Sequence, residues 1–288
     1  MRILLTGKNG QLGWELQRCL AALGPVAALS RAELDLSAPD TIGARIREVR
    51  PDLIVNAAAY TAVDRAESEP DLAMAINGTA PGILAEEAKR LGILLLHYST
   101  DYVFEGKKSI PYSEEDVPNP INVYGVTKLA GERAIQATGC RHLIFRTSWV
   151  YSTRGTNFLL TIQRLAEERR LIRVVDDQHG APTWAYDIAA GTRRVLERGD
   201  TSPGLYHMTA SGETTWCGFA KAIVSAAGLS TEIVPIASSQ YPTAARRPLN
   251  SLLSNDKLSK DYGFQLDTWR KGLARCLARL GEAGAVHK

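Results

Sequence analysis

The sequence has no cysteine pair, no long apolar run and no dominant charge, and each absence closes off a class of protein. Cys19, Cys140, Cys217 and Cys276 lie far apart with no Cys-x-x-Cys spacing, so neither a zinc site nor a disulfide framework is signalled, and free thiols in a reducing compartment are expected. No apolar stretch approaches the roughly 20 residues of a membrane-spanning helix, and Ile3 to Leu5 is cut off by Gly7 too soon for a signal-peptide core. A cytoplasmic protein with no membrane partner is expected. The 34 basic and 31 acidic side chains are interspersed and nearly cancel, which argues against a nucleic-acid partner while leaving single basic residues free to meet a small phosphorylated ligand. Repeats and low-complexity tracts are missing too, which excludes an array architecture and extended disorder.

What the 288 residues do contain is a rhythm. A short apolar run at 2–6 is followed by glycines and then by Leu12, Leu16, Leu20 and Leu23 at helical spacing, which reads as strand, tight turn and helix. The pattern recurs: strands are expected at 26–29, 53–59, 93–99 and 142–147, with helices at 39–50, 71–91 and from 123 onward. Apolar strands alternating with helices predict a parallel sheet covered on both faces, a Rossmann-type doubly wound α/β fold. Residues 1–150 are expected to form a dinucleotide-binding domain. Residues 151–288, where the rhythm loosens, are expected to form mainly a smaller substrate-binding domain, with some elements returning to the first. Ligands of such sheets bind beyond the carboxyl ends of the strands.

Two motifs fall at those ends. Gly7, Gly10 and Gly13, with Gln11 and Leu12 between them, follow the first strand and open a helix. Glycines there permit a tight turn and close approach to a pyrophosphate, which the helix N-terminus attracts. An NAD site places an acid at the end of the second strand, whereas Ser30 and Arg31 stand here, a hydroxyl and a guanidinium suited to a 2′-phosphate. NADPH is therefore expected, with NADH still open because Arg31 also reads as a solvated surface charge. Asp35 and Leu36 are candidates for adenine contact, Asp35 equally for helix capping.

The second motif is Tyr124 with Lys128, four apart at the start of a helix and so on one face. Hydride addition to a carbonyl needs a proton donor at the oxygen, and an ammonium beside a phenol lowers the cost of giving up its proton. Thr100, at the end of the fourth strand, is placed to donate to the same oxygen, or else to satisfy a strand-ending turn. Trp14 and Trp184 read as packing residues, His97 and His179 as hydrogen-bonded histidines rather than metal ligands, and Arg246 and Arg247 as a surface loop or as diphosphate contacts. No metal site is expected from the residues themselves.

With these residues quoted, the chain resembles the extended short-chain dehydrogenases/reductases, and among them the reductases of dTDP-linked keto sugars. The likeness runs through 7–13, 55–70 (VNAAAYTAVDRAESEP), 97–106 (HYSTDYVFEG), 122–132 (NVYGVTKLAGE), 146–151 (RTSWVY), 177–183 (DQHGAPT) and 241–250 (YPTAARRPLN). It implies Tyr124 as proton donor, Lys128 as its activator and Thr100 as carbonyl partner, with Asp101 and Trp149 touching the sugar and Ala59, Tyr60 and Thr61 lining the cofactor. The implied reaction is NAD(P)H reduction of the 4-keto group of dTDP-4-dehydro-6-deoxy-L-mannose to dTDP-L-rhamnose, a cell-surface sugar donor, by a monomer or homodimer.

The match has two departures. Relatives that use NADH readily carry an acid where Ser30 stands. Some relatives dimerise through Mg²⁺ held by glutamates; Glu15 matches one of these, but Tyr186 occupies the place of another, which leaves the metal open. A 4,6-dehydratase on this scaffold would need a glutamate where Tyr102 stands, and the 4-epimerases fit the 30–31 pair less well. A non-catalytic NADP-binding subunit would not need Tyr124 and Lys128, and both are present.

Overall fold

The computed structural model describes residues 1–199 and 202–285. Its first half runs β1 (Ile3–Thr6), α1 (Gln11–Leu20), β2 (Val26–Leu29), α2 (Pro39–Val49), β3 (Leu53–Asn56), short helices α3 (Val63–Ala66) and α4 (Pro70–Met74), α5 (Ala80–Leu91), β4 (Leu94–Thr100), α6 (Val123–Thr138) and β5 (His142–Thr147). The second half runs β6 (Val150–Tyr151), α7 (Phe158–Glu168), β7 (Leu171–Val175), β8 (His179–Gly180), β9 (Thr183–Trp184), α8 (Ala185–Glu197), β10 (Gly204–His207), β11 (Thr214–Thr215), α9 (Trp216–Ala226), β12 (Glu232–Ile236), α10 (Asp256–Tyr262) and α11 (Trp269–Ala285).

Six strands pair in the order β10-β5-β4-β3-β1-β2. Every pairing is parallel. Their near-continuous apolar sequence is explained by burial on both faces. Ile3, Leu5, Val55, Leu96 and Phe145 point to one side, where Leu16 and Leu20 of α1 and Ile188 and Val195 of α8 cover them. Leu4, Ile54, Leu95 and Ile144 point to the other, against Ile42 and Ile46 of α2, Leu84 and Ala88 of α5 and Ile135 of α6. The side-chain period of two thus feeds two helical layers from one set of strands.

The second half contributes to this body as well. β10 pairs with β5, from Gly204 opposite Leu143 to His207 opposite Arg146, and α8 lies in the layer of α1. A separate apolar core gathers Tyr151, Leu159, Ile162, Phe219, Ile223, Trp269 and Leu273, all from beyond position 150. Around it β7 pairs with β12 and α7, α9 and α11 pack.

Two expected elements differ in the structure. The third strand stops at Asn56 instead of 59, because Ala57 and Ala58 turn over the glycine loop: a Cβ on Gly7 would sit 2.8 Å from the Ala58 nitrogen. The helix expected at 71–91 is broken by a π-helical turn, Ala75–Thr79. Such turns re-aim side chains at functional positions. Here α6 crosses so closely that a Cβ on Gly131 would lie 2.1 Å from the Asn77 carbonyl oxygen.

Candidate active site

The glycine loop is built for close approach. Gly7 has φ +73°, its carbonyl accepts from the Gly10 N–H at 2.9 Å, and a Cβ on Gly13 would fall 2.0 Å from the Gly7 oxygen. Any side chain at 7 or 13 would therefore push helix and loop apart. No side chain caps α1, so its first N–H groups remain available to an anion, which fits a dinucleotide pyrophosphate. Gln11, whose Oε1 is buried without a partner, and Leu12 stand at the mouth of this cradle.

At the end of β2 the structure adds an acid that the spacing did not reveal. Glu33 accepts from the Ser30 N–H at 2.8 Å and from its hydroxyl at 2.7 Å, and Lys8 Nζ lies 2.6 Å from the same carboxylate. The Lys8 and Ser30 contacts hold Glu33 down at a pKa of about 2. Arg31, 70% exposed, pairs with Asp35 at 3.3 Å. Asp35 also accepts from the Ser37 N–H and hydroxyl within a local turn and caps no helix, since α2 begins at Pro39 without a side-chain cap, and Leu36 is buried in the core.

Across the rim, the loop of Ala59, Tyr60 and Thr61 is fixed by Asn77 of the π turn. Asn77 accepts from the Tyr60 N–H at 2.8 Å and donates to the Tyr60 carbonyl at 3.0 Å and to Thr127 at 3.2 Å. No motif pointed to Asn77; only the π turn aims it there.

The expected catalytic residues converge at the end of β4. Asn122 caps α6 by accepting from the Gly125 N–H at 2.8 Å, and Gly125 comes so near the turn after β4 that a Cβ would lie 2.1 Å from the Tyr102 carbonyl. This contact brings Tyr124 edge-on to Tyr102, centroids 5.9 Å apart, with Thr100 and Asp101 facing its phenol. Thr100 donates to Asp101 at 2.9 Å and accepts from the Tyr102 N–H at 3.1 Å, so the turn-capping reading of Thr100 holds. Burial pushes the Tyr124 phenol up to about 12, with Thr100 pulling the other way. Lys128, only 1% exposed, does not lower it here, since its hydrogen bonds go to the Tyr98 carbonyl at 2.6 Å and to His97 Nε2 at 3.2 Å. Burial lowers the lysine to about 8. Burial likewise raises the Asp101 carboxyl to about 7, and its Oδ2 has no partner.

The outer wall is aromatic. Trp149 adopts φ +48°, stacks on Trp216 at 3.6 Å with planes 2° apart, and donates to Ser251 at 3.0 Å. Gly180 makes room, since a Cβ there would lie 2.3 Å from the indole. Arg247 is tied to Asp64 at 2.7 Å, whereas Arg246 is exposed. His179 pairs with Glu213 at 2.7 Å. Glu15, buried, faces Arg279 with both oxygens 3.3 Å from one guanidinium nitrogen, and that guanidinium lies over Tyr186. Glu15 is thus paired with a cation of the same chain, and the described residues contain no group of three or more His, Cys, Asp or Glu suited to a metal.

The parallel sheet, the glycine cradle and a tyrosine and lysine one turn apart beside the fourth strand define an extended short-chain dehydrogenase/reductase. The profile of the RmlD substrate binding domain matches residues 1–282. The chain is 51% identical to the dTDP-4-dehydrorhamnose reductase of Burkholderia thailandensis, over 97% of this chain and 99% of that protein. It is 46% identical to that of Salmonella typhimurium, over 97% and 98%. The crystal structure of the Bacillus anthracis dTDP-4-dehydrorhamnose reductase in complex with NADP superposes with a TM-score of 0.93 at 35% identity, covering 96% of this chain and 99% of that one. The chain belongs to the dTDP-4-dehydrorhamnose reductase family.

Proposed function

We propose that this chain reduces the 4-keto group of dTDP-4-dehydro-6-deoxy-L-mannose with NAD(P)H, giving dTDP-L-rhamnose. The observation that carries the reading is the convergence of Tyr124, Thr100 and Asp101 at the end of β4, above Lys128 and across from the glycine cradle. The bound dinucleotide supplies hydride to the keto carbon. Gly7, Gly10, Gln11, Leu12 and Gly13 hold its pyrophosphate, and Ala59, Tyr60 and Thr61 line its path. As the carbonyl oxygen gains charge, the Tyr124 phenol gives up its proton and Thr100 turns its hydroxyl from Asp101 to that oxygen. The Lys128 ammonium stabilises the phenolate left behind and meets the nicotinamide ribose. Asp101 and the Trp149 face contact the sugar. No step runs through a metal.

NADPH is the preferred form in this reading: Ser30 and Arg31 receive the 2′-phosphate once Glu33 lets go of Ser30. Residues 1–150 carry the dinucleotide and most of 151–288 the sugar nucleotide, with β10 and α8 returned to the first body. Among the described residues no helix is long and apolar enough to cross a membrane. The buried free thiols Cys140, Cys217 and Cys276 suit a reducing cytoplasm.

The test is nicotinamide oxidation with enzymatically generated substrate and identification of the product sugar nucleotide. Tyr124→Phe is expected to lose about 10²- to 10⁴-fold in kcat, the range for a positioned general acid, while still binding NADPH. Normal turnover in Tyr124→Phe would remove the assignment of the donor. No turnover by the unaltered protein would remove the substrate.

A further inference from the structure

Lys128 rests on a buried chain of polar groups that crosses three strands, and the hydrogen bookkeeping of that chain is unusual. The Ala58 N–H donates to Thr6 Oγ1 at 3.2 Å, the Thr6 hydroxyl donates to Asn56 Oδ1 at 2.6 Å, Asn56 Nδ2 meets His97 Nδ1 at 3.0 Å, and His97 Nε2 meets Lys128 Nζ at 3.2 Å. Thr6, Asn56, His97 and Lys128 are each 1% exposed or less, so water cannot substitute for any missing partner.

In this order His97 Nδ1 accepts from Asn56, so a neutral ring carries its proton on Nε2 and donates it to Lys128. Only an uncharged amine has a lone pair to receive it, because an ammonium is three donors and no acceptor. A charged Lys128 requires the opposite order. His97 Nε2 must then accept, Nδ1–H must donate, and the Asn56 amide must turn over to present its oxygen to the ring. Both orders keep the same heavy-atom positions; in the second, Asn56 Nδ2 donates to Thr6 Oγ1, and the Thr6 hydroxyl gives up its donation to Asn56. Protonating the ring itself would set two cations side by side, and burial with the Lys128 charge holds its pKa well below the ordinary value.

We propose that His97 is a positioning residue for Lys128: backed by Asn56, it aims the amine and couples the lysine's charge to a reversal of hydrogen bonds that ends at Thr6, beneath the glycine cradle. The groups facing the lysine are few. His97 and the Tyr98 carbonyl come from β4, Tyr124 lies one turn earlier on α6, and Glu132, one turn later, is paired with Arg146 of β5 at 2.6 Å. Glu132 acts on the lysine only through its charge, while His97 is the titratable group in direct hydrogen-bond contact with the amine and so is best placed to sense its proton. The inference rests on the role of Lys128 proposed above, and its first readout needs no substrate.

That readout is the ¹⁵N NMR shift pair of His97 in the unaltered full chain, titrated from about pH 6 to about pH 10 around the lysine value near 8. The expected result is a ring that stays neutral and changes from the Nδ1–H to the Nε2–H tautomer as pH rises. One tautomer throughout would overturn the proposal, whatever the substrate proves to be. In kinetics, His97→Phe should lower kcat/KM at least about tenfold, the size of one charge-assisted hydrogen bond, and move the alkaline limb of its pH profile. His97→Gln, which keeps a polar atom at the same reach, should stay within about threefold by the same scale. A folded His97→Phe enzyme with the unaltered pH profile would overturn the proposal. Should that variant not fold, the tautomer titration decides alone.

Discussion

Two polar networks sit on the same rim of the sheet and are built on opposite physical terms. At the end of β2, Lys8, Ser30, Arg31, Glu33 and Asp35 pair in contact with solvent; Arg31 and Glu33 are 70% and 41% exposed at the side chain. Around β4 and α6, Lys128, His97, Asn56, Glu132 and Arg146 are buried and each charge is tied. Solvated pairs are weak and exchangeable, so the β2 end can alter cofactor choice without endangering the fold. Buried charges leave large penalties when a partner is lost, so the β4 end holds its geometry rigidly, which catalysis demands.

The comparison is broken first at Lys128. Lys128→Met is expected to lower kcat about 10²- to 10⁴-fold, read from steady-state nicotinamide oxidation. In the unaltered enzyme the lysine carries its charge below about pH 8 and loses it above, so kcat/KM should fall on the alkaline side of that value, and the variant should lack this limb. A loss under about tenfold would make the buried network scaffolding rather than chemistry. Next comes the Glu132–Arg146 pair, bidentate at 2.9 and 2.6 Å and 2–3% exposed. Glu132→Ala strands the guanidinium and should cost about 3–5 kcal/mol in denaturant unfolding. Glu168→Ala, which frees the exposed Arg164 on α7, should cost about 0.5 kcal/mol or less. Equal losses would erase the contrast.

Asp101 tests the buried side by pH. Its folded-state value, raised by burial from 3.8 to about 7, means the folded protein keeps a proton that the unfolded chain has already released. That contribution to stability is full below about pH 4 and is lost as pH rises through about 7. Asp101→Asn should therefore be more stable than the unaltered protein at about pH 8, on the order of a few kcal/mol, with the gap closing near pH 4; thermal unfolding at both pH values checks it. The smallest effect belongs to the exposed end. Glu33→Gln frees Ser30 and Lys8 and should lower the KM for NADPH about two- to fivefold, less at high salt. An unchanged KM at low salt would mean that Glu33 does not compete with the 2′-phosphate.

Legibility followed the same divide between periodic burial and local aim. The alternation of buried strands and helices was visible because Ile3, Leu5, Val55 and Phe145 are apolar for a reason that repeats every two residues. Tyr124 and Lys128 were visible because helical spacing alone puts them on one face. Asn77 was not, since a π turn changes where a side chain points without changing composition. Glu33 was missed because the contact that matters is a tight turn back to Ser30, where Arg31 looked like the dominant charge. Helix α11 went unread because its leucines and cysteine are spaced by arginines and glycines, and its apolar face is defined only by the second core it helps to close. The pairing of Arg279 with Glu15 joins residues 264 apart in the chain and has no local signature at all.

The Trp149–Trp216 stack has an optical consequence. Two parallel indoles in contact couple their excited states, giving a split ultraviolet circular dichroism signal and quenched emission that neither ring would show alone. One partner is held in a left-handed backbone conformation at the end of the sheet and the other starts α9 in the second core. Any movement that slides one ring across the other would change the splitting before it changed the secondary structure, so the stack would report such a movement without a label.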